Sequence, residues 1–93
     1  MDPIAQERRE SCRNAVLAFL AERQALAHHP QTIRRRLNEG HLNDFTIEEV
    51  TAALAFLEGK QRVKTVLEEM GATAYYQATS EGVLAYERHA HPA

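Results

Sequence analysis

The fold is decided by residues 46–64, which read TIEEVTAALAFLEGKQRVK. This stretch opens with a capping box, in which Thr46 accepts from the Glu49 amide while the Glu49 side chain reaches back to Thr46. Phe45 before the cap and Val50 after it have the spacing of a hydrophobic staple. The pattern therefore predicts a well-defined helix that begins at this point.

The second half of the stretch changes from helical to extended periodicity. The helix is expected to run to about Glu58 and to end at Gly59, and its predicted buried face comprises Ile47, Val50, Leu54 and Leu57. Residues 62–69 and 73–78 are then rich in β-branched and aromatic side chains, and Gly71 lies in the turn predicted at residues 70–72. Two such runs joined by a glycine turn predict an antiparallel hairpin.

Upstream of this stretch, a long first helix is predicted. Asp2 and Pro3 form a start signal, and nothing interrupts the helix before about Arg23. Leu17 lies outside the main apolar stripe, which consists of Cys12, Ala15, Val16, Phe19 and Leu20. The short run at residues 25–27 is predicted as a strand of two or three residues.

A second helix and a closing helix complete the predicted elements. The second begins at Pro30, turns Ile33 and Leu37 inward, and ends at Gly40, since glycine accepts a left-handed backbone. The closing helix is capped within residues 79–81 and is expected to extend to about His89, with Val83, Leu84 and Tyr86 as its apolar residues.

Length and composition indicate one globular domain over residues 1–93, with its core at about residues 12–89 and a loose tail at residues 90–93. Hydrophobic residues make up 44% and charged residues 26%, and the net charge of −2 argues against a strongly basic nucleic-acid binder. A single cysteine, Cys12, excludes an internal disulfide and is expected in the core. With no membrane span or signal peptide in the sequence, we expect a soluble, cytoplasmic protein.

Two stretches resemble a known family. Residues 46–64 resemble the third helix and first wing strand of winged-helix regulators, in which a leucine-bearing helix ends at a glycine. Residues 74–88, AYYQATSEGVLAYER, are similar to the junction of wing and final helix in PadR- and MarR-like proteins. The resemblance implies a mainly α (α+β) winged helix-turn-helix, as in small bacterial or phage regulators, with a three-helix core, a two-stranded β-wing and a C-terminal helix.

The resemblance also implies binding of duplex DNA, with the third helix in the major groove and the wing against the backbone. The outward positions predicted on that helix carry none of the usual base-reading residues; they are Glu48, Glu49, Thr51, Ala52, Ala55 and Phe56. Glu68 and Glu69 make the predicted wing tip acidic as well. The family's two DNA-facing elements are therefore acidic or neutral in this sequence.

Positive charge is concentrated elsewhere. The candidate nucleic-acid-binding residues form two groups, one on the second helix and one at the wing base: Arg34, Arg35 and Arg36, and Lys60, Arg62 and Lys64. If the groups converge, they can hold backbone phosphates without reading bases. If they do not, three arginines on a short helix serve to solvate it. The sequence leaves both interpretations open.

A protein-interaction module is the alternative to DNA binding. Helix three is apolar nearly all round, and a candidate interface for a homodimer or a partner protein comprises Thr51, Ala52, Ala55 and Phe56. The competing interpretation is that Phe56 packs under the wing and that the alanines are simply good helix formers.

Catalytic and metal-binding patterns are weak. The side chains of adjacent His28 and His29 diverge, and His89 and His91 lie near the tail. No nucleophile, acid–base pair or glycine-rich phosphate loop is evident in the sequence. We therefore expect no enzyme activity, metal, cofactor or small-molecule substrate.

Overall fold

A computed structural model of the protein describes residues 2–67, 71 and 73–90. Four helices and a two-stranded antiparallel sheet form this part of the chain: α1 (Pro3–Glu22), α2 (Pro30–Leu37), α3 (Ile47–Gly59), β1 (Val63–Leu67), β2 (Ala74–Ala78) and α4 (Ser80–Ala90). A short 3₁₀ turn, Glu39–His41, joins α2 to α3. This architecture is the expected winged helix: a three-helix core, a β-wing and a closing helix.

The local signals in the sequence set the helix starts. Asp2 accepts from the Ile4 amide at 3.0 Å at the start of α1. Both bonds of the capping box are present, since the Glu49 amide donates to Thr46 at 3.1 Å and the Thr46 amide donates to Glu49 at 2.9 Å. Thr79 caps α4 by accepting from the Gly82 amide at 3.0 Å. These predicted caps are confirmed.

The wing is a hairpin whose register runs from Val63 opposite Ala78 to Leu67 opposite Ala74. Val63 and Ala78 are buried, which attaches the base of the wing to the core. The first strand begins one residue later than predicted, because Arg62 belongs to the turn that leaves α3. The predicted wing-tip residues Glu68 and Glu69, and most of the predicted turn, lie outside the described residues.

The prediction of a strand at residues 25–27 was wrong in both its position and its length. Residues 23–25 form a turn, and the chain pairs with the wing one position later, at a single residue, His28. His28 and Tyr76 exchange two backbone hydrogen bonds of 2.8 Å each. Pairing cannot continue, because α2 begins at Pro30 and proline lacks the required donor.

The core lies between α1, α3, the wing base and the flanking helices, and Cys12 within it is 2% exposed, as predicted. Two expectations about apolar faces were wrong. Ile47, expected on the buried face of α3, is only half-buried, whereas Ala53, outside that predicted face, is buried, because α3 packs against α1 and α2. Leu17, expected outside the stripe, is 7% exposed, because α4 covers that side of α1.

Candidate nucleic-acid interface

Three consecutive arginines occupy the last turn of α2, where cations compensate the negative end of the helix dipole. Ile33 is fully buried and faces the core, so the arginines project from the remaining sides of the helix. Arg34 Nε donates to Gln31 Oε1 at 3.0 Å, within the same helix. Arg35 is exposed and makes no hydrogen bond or ion pair within the described residues.

Arg36 differs from the other two arginines. Its Nε lies 3.3 Å from a carboxylate oxygen of Glu39, and its Cζ lies 5.9 Å from the centre of the Phe19 ring on α1. Arg34 lies about 160° around the helix from Arg36, so it projects away from α1. Arg34 and Arg35, neither of which has a carboxylate partner in the described residues, are therefore the cations of α2 that remain available to an anion.

The side chains on the outward face of α3 are small and uncharged in the middle of the helix. Thr51, Ala52 and Ala55 are exposed there, and the exposed carboxylates Glu48 and Glu58 lie towards its two ends. No side chain over the middle of this face is a long hydrogen-bonding group of the kind that most often reads base edges, such as Arg, Lys, Asn or Gln. Short side chains do, however, allow the helix backbone to approach a surface closely.

Glu49 does not project outward as the sequence suggested. The Arg8 guanidinium on α1 donates from Nη2 to Glu49 at 2.9 Å and from Nη1 to Asp44 at 2.9 Å. The hydrogen bonds from Arg8, together with the one from the Thr46 amide, hold the pKa of Glu49 at about 2. Its charge is thus neutralised within the domain, which leaves less negative charge at the start of α3 than the sequence implied.

Phe56 is half-buried, and a neighbour that the sequence did not suggest covers its ring. Arg13 of α1 places its Cζ 3.6 Å from the ring centre, and Lys60 Nζ lies 5.7 Å away. Such stacking is a cation–π contact. Phe56 is therefore not an open anchor for a partner, and the accessible part of the candidate interface is Thr51, Ala52 and Ala55.

Arg62 lies on a different side of the molecule from the α2 arginines. Its side chain lines a groove between α1 and α4, beside Asn14 and Arg88. Asn14 points about 140° away from Phe19 around α1, and Phe19 is the residue that Arg36 approaches. Arg62 and the arginines of α2 are thus separated by α1.

Of the two remaining cations, Lys60 lies on the same side as Arg62, and Lys64 lies on the side of α2. Lys60 is exposed at the end of α3 and lines a hollow together with Arg62 and Arg88. Lys64 is exposed on β1 opposite Gln77, whose side chain donates to the Gln24 carbonyl at 2.7 Å. The wing face that carries Lys64 therefore adjoins the segment that leads into α2.

The histidines show no metal arrangement: among the residues that the structure describes, no group of three His, Cys, Asp or Glu side chains is suitably placed. His28 packs edge-to-face on Phe19 with ring centres 5.0 Å apart, and its buried Nδ1 has no hydrogen-bond partner in the described part of the chain. Burial, followed by the nearby charges of Arg23 and Arg36, lowers the pKa of His28. Burial raises the pKa of the Cys12 thiol to about 11, which makes it unreactive.

Three important residues, Arg8, Arg13 and Arg88, were not singled out by the sequence. Arg8 and Arg13 look like solvated positions on an amphipathic helix, yet they contact Glu49 and Phe56 on α3. These contacts join residues about 40 positions apart, so no local pattern signals them. The ion pair of Arg36 with Glu39, in contrast, joins residues only three positions apart, where α2 runs into the 3₁₀ turn.

Solved structures of transcription regulators have the same fold. Cth-833, a transcriptional regulator from Clostridium thermocellum, is similar over 97% of this chain and 84% of its own, with a TM-score of 0.77 and 20% identity. Two mutants of Lactococcus lactis ZitR match with TM-scores of 0.67 and 0.69 and identities of 21% and 22%. This chain spans 49% and 58% of those ZitR chains.

These likenesses establish the winged-helix fold. No protein-family model matches the chain, and no curated protein matches it either. Within the described residues, no helix has both the length and the apolar character to cross a membrane.

Proposed function

We propose that this domain binds duplex DNA through the sugar-phosphate backbone, in the manner of a transcription regulator, and that Arg34 and Arg35 supply the principal contacts. One observation carries the proposal: these two guanidinium groups project from α2 without a carboxylate partner in the described residues, and Arg34 points away from α1. They do so on a fold shared with transcription regulators.

Guanidinium groups suit this task because their planar donors match phosphate oxygens in bidentate geometry. The net charge of −2 makes long-range attraction to DNA weak, so affinity depends on local contacts and on the release of counterions. Lys64 extends the surface along the wing face that adjoins the start of α2. Arg36 contributes less than its neighbours, since Glu39 already compensates its charge.

The proposed binding discriminates weakly between sequences. Base reading relies mostly on Arg, Lys, Asn or Gln in the major groove of DNA, whereas the exposed middle of α3 presents Thr51, Ala52 and Ala55. Phosphate contacts fix orientation on the duplex but carry no direct sequence information. We expect the affinities for unrelated duplexes to agree within a few fold at a fixed salt concentration.

Fluorescence anisotropy with a labelled random-sequence duplex tests this function. The double variant Arg34→Gln/Arg35→Gln is expected to bind about tenfold more weakly and to lower the slope of log affinity against log salt by about two. The matched control Arg62→Gln/Arg88→Gln removes the same charge from the other side of α1 and should change the affinity less than twofold. Circular dichroism verifies that each variant is folded.

Two results would end this proposal. One is the absence of any binding by the unmodified protein at low salt. The other is an equal loss of affinity in both double variants, because overall charge rather than the α2 surface would then determine binding.

A protein partner on α3 is the second candidate function. The exposed and uncharged strip of Thr51, Ala52 and Ala55 favours it, although the strip lacks a large side chain to act as an anchor. Light scattering at two concentrations distinguishes a homodimer from a monomer. If Ala52→Glu leaves the mass unchanged at both concentrations, the homodimer version is wrong.

A further inference from the structure

Leu42 is 83% exposed, more than any other large apolar side chain that the structure describes. It lies in the loop that leads from the 3₁₀ turn to α3, and hydrogen bonds hold this loop in place. The Asn38 side chain donates to the Phe45 carbonyl at 2.9 Å and accepts from the Phe45 amide at 3.1 Å. The Asn43 side chain donates to the Leu37 carbonyl at 2.8 Å. Since a rigid loop loses little entropy on binding, Leu42 is a preformed apolar anchor.

The molecule also has a groove that an apolar anchor fits. The groove lies between α1 and α4, has a volume of about 610 Å³, and has an apolar lining of small and aliphatic side chains: Ala15, Leu17 and Ala18 on α1, and Ala85 on α4. Alanine at three of these positions leaves space that a larger side chain can fill. Leu42 of the same copy does not fill it, because that side chain is exposed.

Acidic residues surround the exposed leucine. Residues 38–49 contain no lysine or arginine, and they contain four carboxylates: Glu39, Asp44, Glu48 and Glu49. Two arginines from outside this stretch, Arg8 and Arg36, form ion pairs with three of the four. Two cations against four carboxylates leave the loop and the start of α3 with a net negative charge.

The charge of the groove is the opposite. Arg62 and Arg88 line it, and none of the described lining residues is acidic. Neither arginine makes an ion pair within the described ranges. The adjoining hollow contains one carboxylate, Glu81, against Lys60 and the same two arginines. The loop and the groove are therefore both partly apolar and have charges of opposite sign.

Both walls of the groove are held in place. On one side, the Arg62 carbonyl accepts from the Thr79 amide at 3.0 Å, which fixes the backbone of Arg62 to the start of α4. On the other side, the Tyr86 hydroxyl donates to a carboxylate oxygen of Glu22 at 2.6 Å across the gap between α4 and α1. The groove, like the loop, is thus formed before any partner binds.

We propose that Leu42 of one copy docks in the groove between α1 and α4 of a second copy, and that this contact makes the chain self-associate. The leucine side chain packs on the alanines of the groove, and the carboxylates beside it lie opposite Arg62 and Arg88. Complementary charge guides the encounter and fixes the orientation, while burial of the leucine supplies affinity. The contact involves neither the α2 arginines nor the exposed strip of α3, and it does not depend on the proposed DNA binding.

Sedimentation equilibrium of the full chain at about 0.05–1 mM tests self-association, since a contact centred on one leucine is expected to be weak. The mean mass should rise with concentration, and it should rise less in about 1 M salt, which screens the charges. Leu42→Ala should weaken association about tenfold, because it removes the anchor. Leu26→Ala is the matched control: it shortens another leucine, 62% exposed, and should leave association unchanged.

Two further variants alter the groove instead of the loop. Ala18→Leu fills the groove and Arg88→Glu reverses part of its charge, so each should weaken association about tenfold. Arg35→Glu makes the same charge change on α2, and Ala52→Glu places a carboxylate on the exposed strip of α3. Neither of these two controls should change association. Circular dichroism verifies that each variant is folded.

A mixture of two variants identifies the surfaces that meet. Leu42→Ala lacks the anchor but keeps the groove, whereas Arg88→Glu keeps the anchor. Adding unlabelled Arg88→Glu to ¹⁵N-labelled Leu42→Ala should therefore shift the NMR amide signals of Ala15, Ala18 and Ala85. Adding unlabelled Leu42→Ala should leave them in place.

The proposal is wrong if the unmodified chain keeps the mass of a single copy at about 1 mM. Equal losses in Leu42→Ala and Leu26→Ala would overturn it too, because Leu42 would then have no special part in the contact. If folded Ala18→Leu and Arg88→Glu associate like the unmodified chain, or if the mixture leaves the groove signals unshifted, Leu42 does not dock in this groove.

Discussion

The two central helices, α2 and α3, differ in what holds them and in what they expose. A capping box and the ion pair with Arg8 fix the start of α3, and its exposed middle is small and neutral. The eight-residue helix α2 buries Ile33 and projects two arginines without acidic partners in the described residues. In this domain α3, the helix that winged-helix regulators place in the major groove of DNA, mainly supports the fold. The neighbouring helix α2 carries the exposed positive charge.

This contrast changes how the family resemblance is interpreted. In a typical winged-helix regulator, the third helix recognises DNA bases and other elements contact the sugar-phosphate backbone. The fold alone does not determine which of these two functions a given chain retains. Here the cations suited to phosphate lie on α2, whereas Glu49 of α3 is neutralised internally by Arg8. We therefore expect changes at α3 to affect stability and changes at the α2 arginines to affect DNA affinity.

The largest expected effect on stability is at the contact between the start of α4 and the exit from α3. Gly82→Ala should lower the free energy of unfolding by about 3 kcal/mol, because the added methyl group would overlap the Arg62 carbonyl oxygen at 1.9 Å. Urea denaturation measures this change. Gly59→Ala is the matched control, because nothing lies within 4 Å of its added Cβ, and it should be neutral or stabilising. Equal effects of the two substitutions would disprove the close contact.

A smaller effect is expected from the ion pair at the start of α3. The folded-state pKa of Glu49, about 2, lies below the ordinary value of 4.5, so its stabilisation is complete above pH 4.5 and is lost as the pH falls towards 2. At neutral pH, Glu49→Gln should cost up to about 1 kcal/mol, since partly exposed ion pairs contribute little. The substitution should also make the free energy of unfolding depend less on pH between 4.5 and 2, the acid limb of the stability profile.

The neighbouring residue provides the control for that experiment. Glu48 is exposed and makes no ion pair among the described residues, so Glu48→Gln should retain the wild-type acid limb. If Glu49→Gln and Glu48→Gln give the same pH profile, Arg8 does not anchor α3 through Glu49.

The smallest expected effect on stability is a pH dependence that arises from His28, in the segment that leads into α2. Burial of His28 lowers its pKa below 6.5, so protonation favours the unfolded chain and stability is lost as the pH falls through 6.5. The change between pH 7.5 and 5.5 should be less than about 1 kcal/mol and should disappear in His28→Gln. Thermal denaturation at the two pH values measures it. A pH dependence that is lost instead in the exposed His41→Gln variant would refute the assignment.

Local sequence signals predicted much of the fold. The caps at Thr46 and Thr79 depend on residues three positions apart, and both are present. The buried positions Val50, Leu54 and Leu57 follow from helical periodicity. The strand predicted at residues 25–27 failed, because a turn at residues 23–25 and Pro30 leave room for pairing only at His28.

The candidate sites were less predictable, because they depend on how the elements pack. The sequence identified the two groups of cations but did not show that α1 separates Arg62 from Arg34. The contacts of Arg8 with Glu49 and of Arg13 with Phe56 join α1 to α3 and leave no trace in local spacing. The groove between α1 and α4 is invisible in the sequence for the same reason.

The most direct test of the central claim is an NMR titration of the ¹⁵N-labelled protein with a short random-sequence duplex. The proposed α2 surface predicts shifts of the Arg34 and Arg35 signals, with smaller ones at Lys64, while Ala85 and Arg88 in the groove remain unchanged. Shifts centred on Arg62 and Arg88 with α2 unaffected would contradict it and would assign the DNA-binding surface to the opposite side of α1.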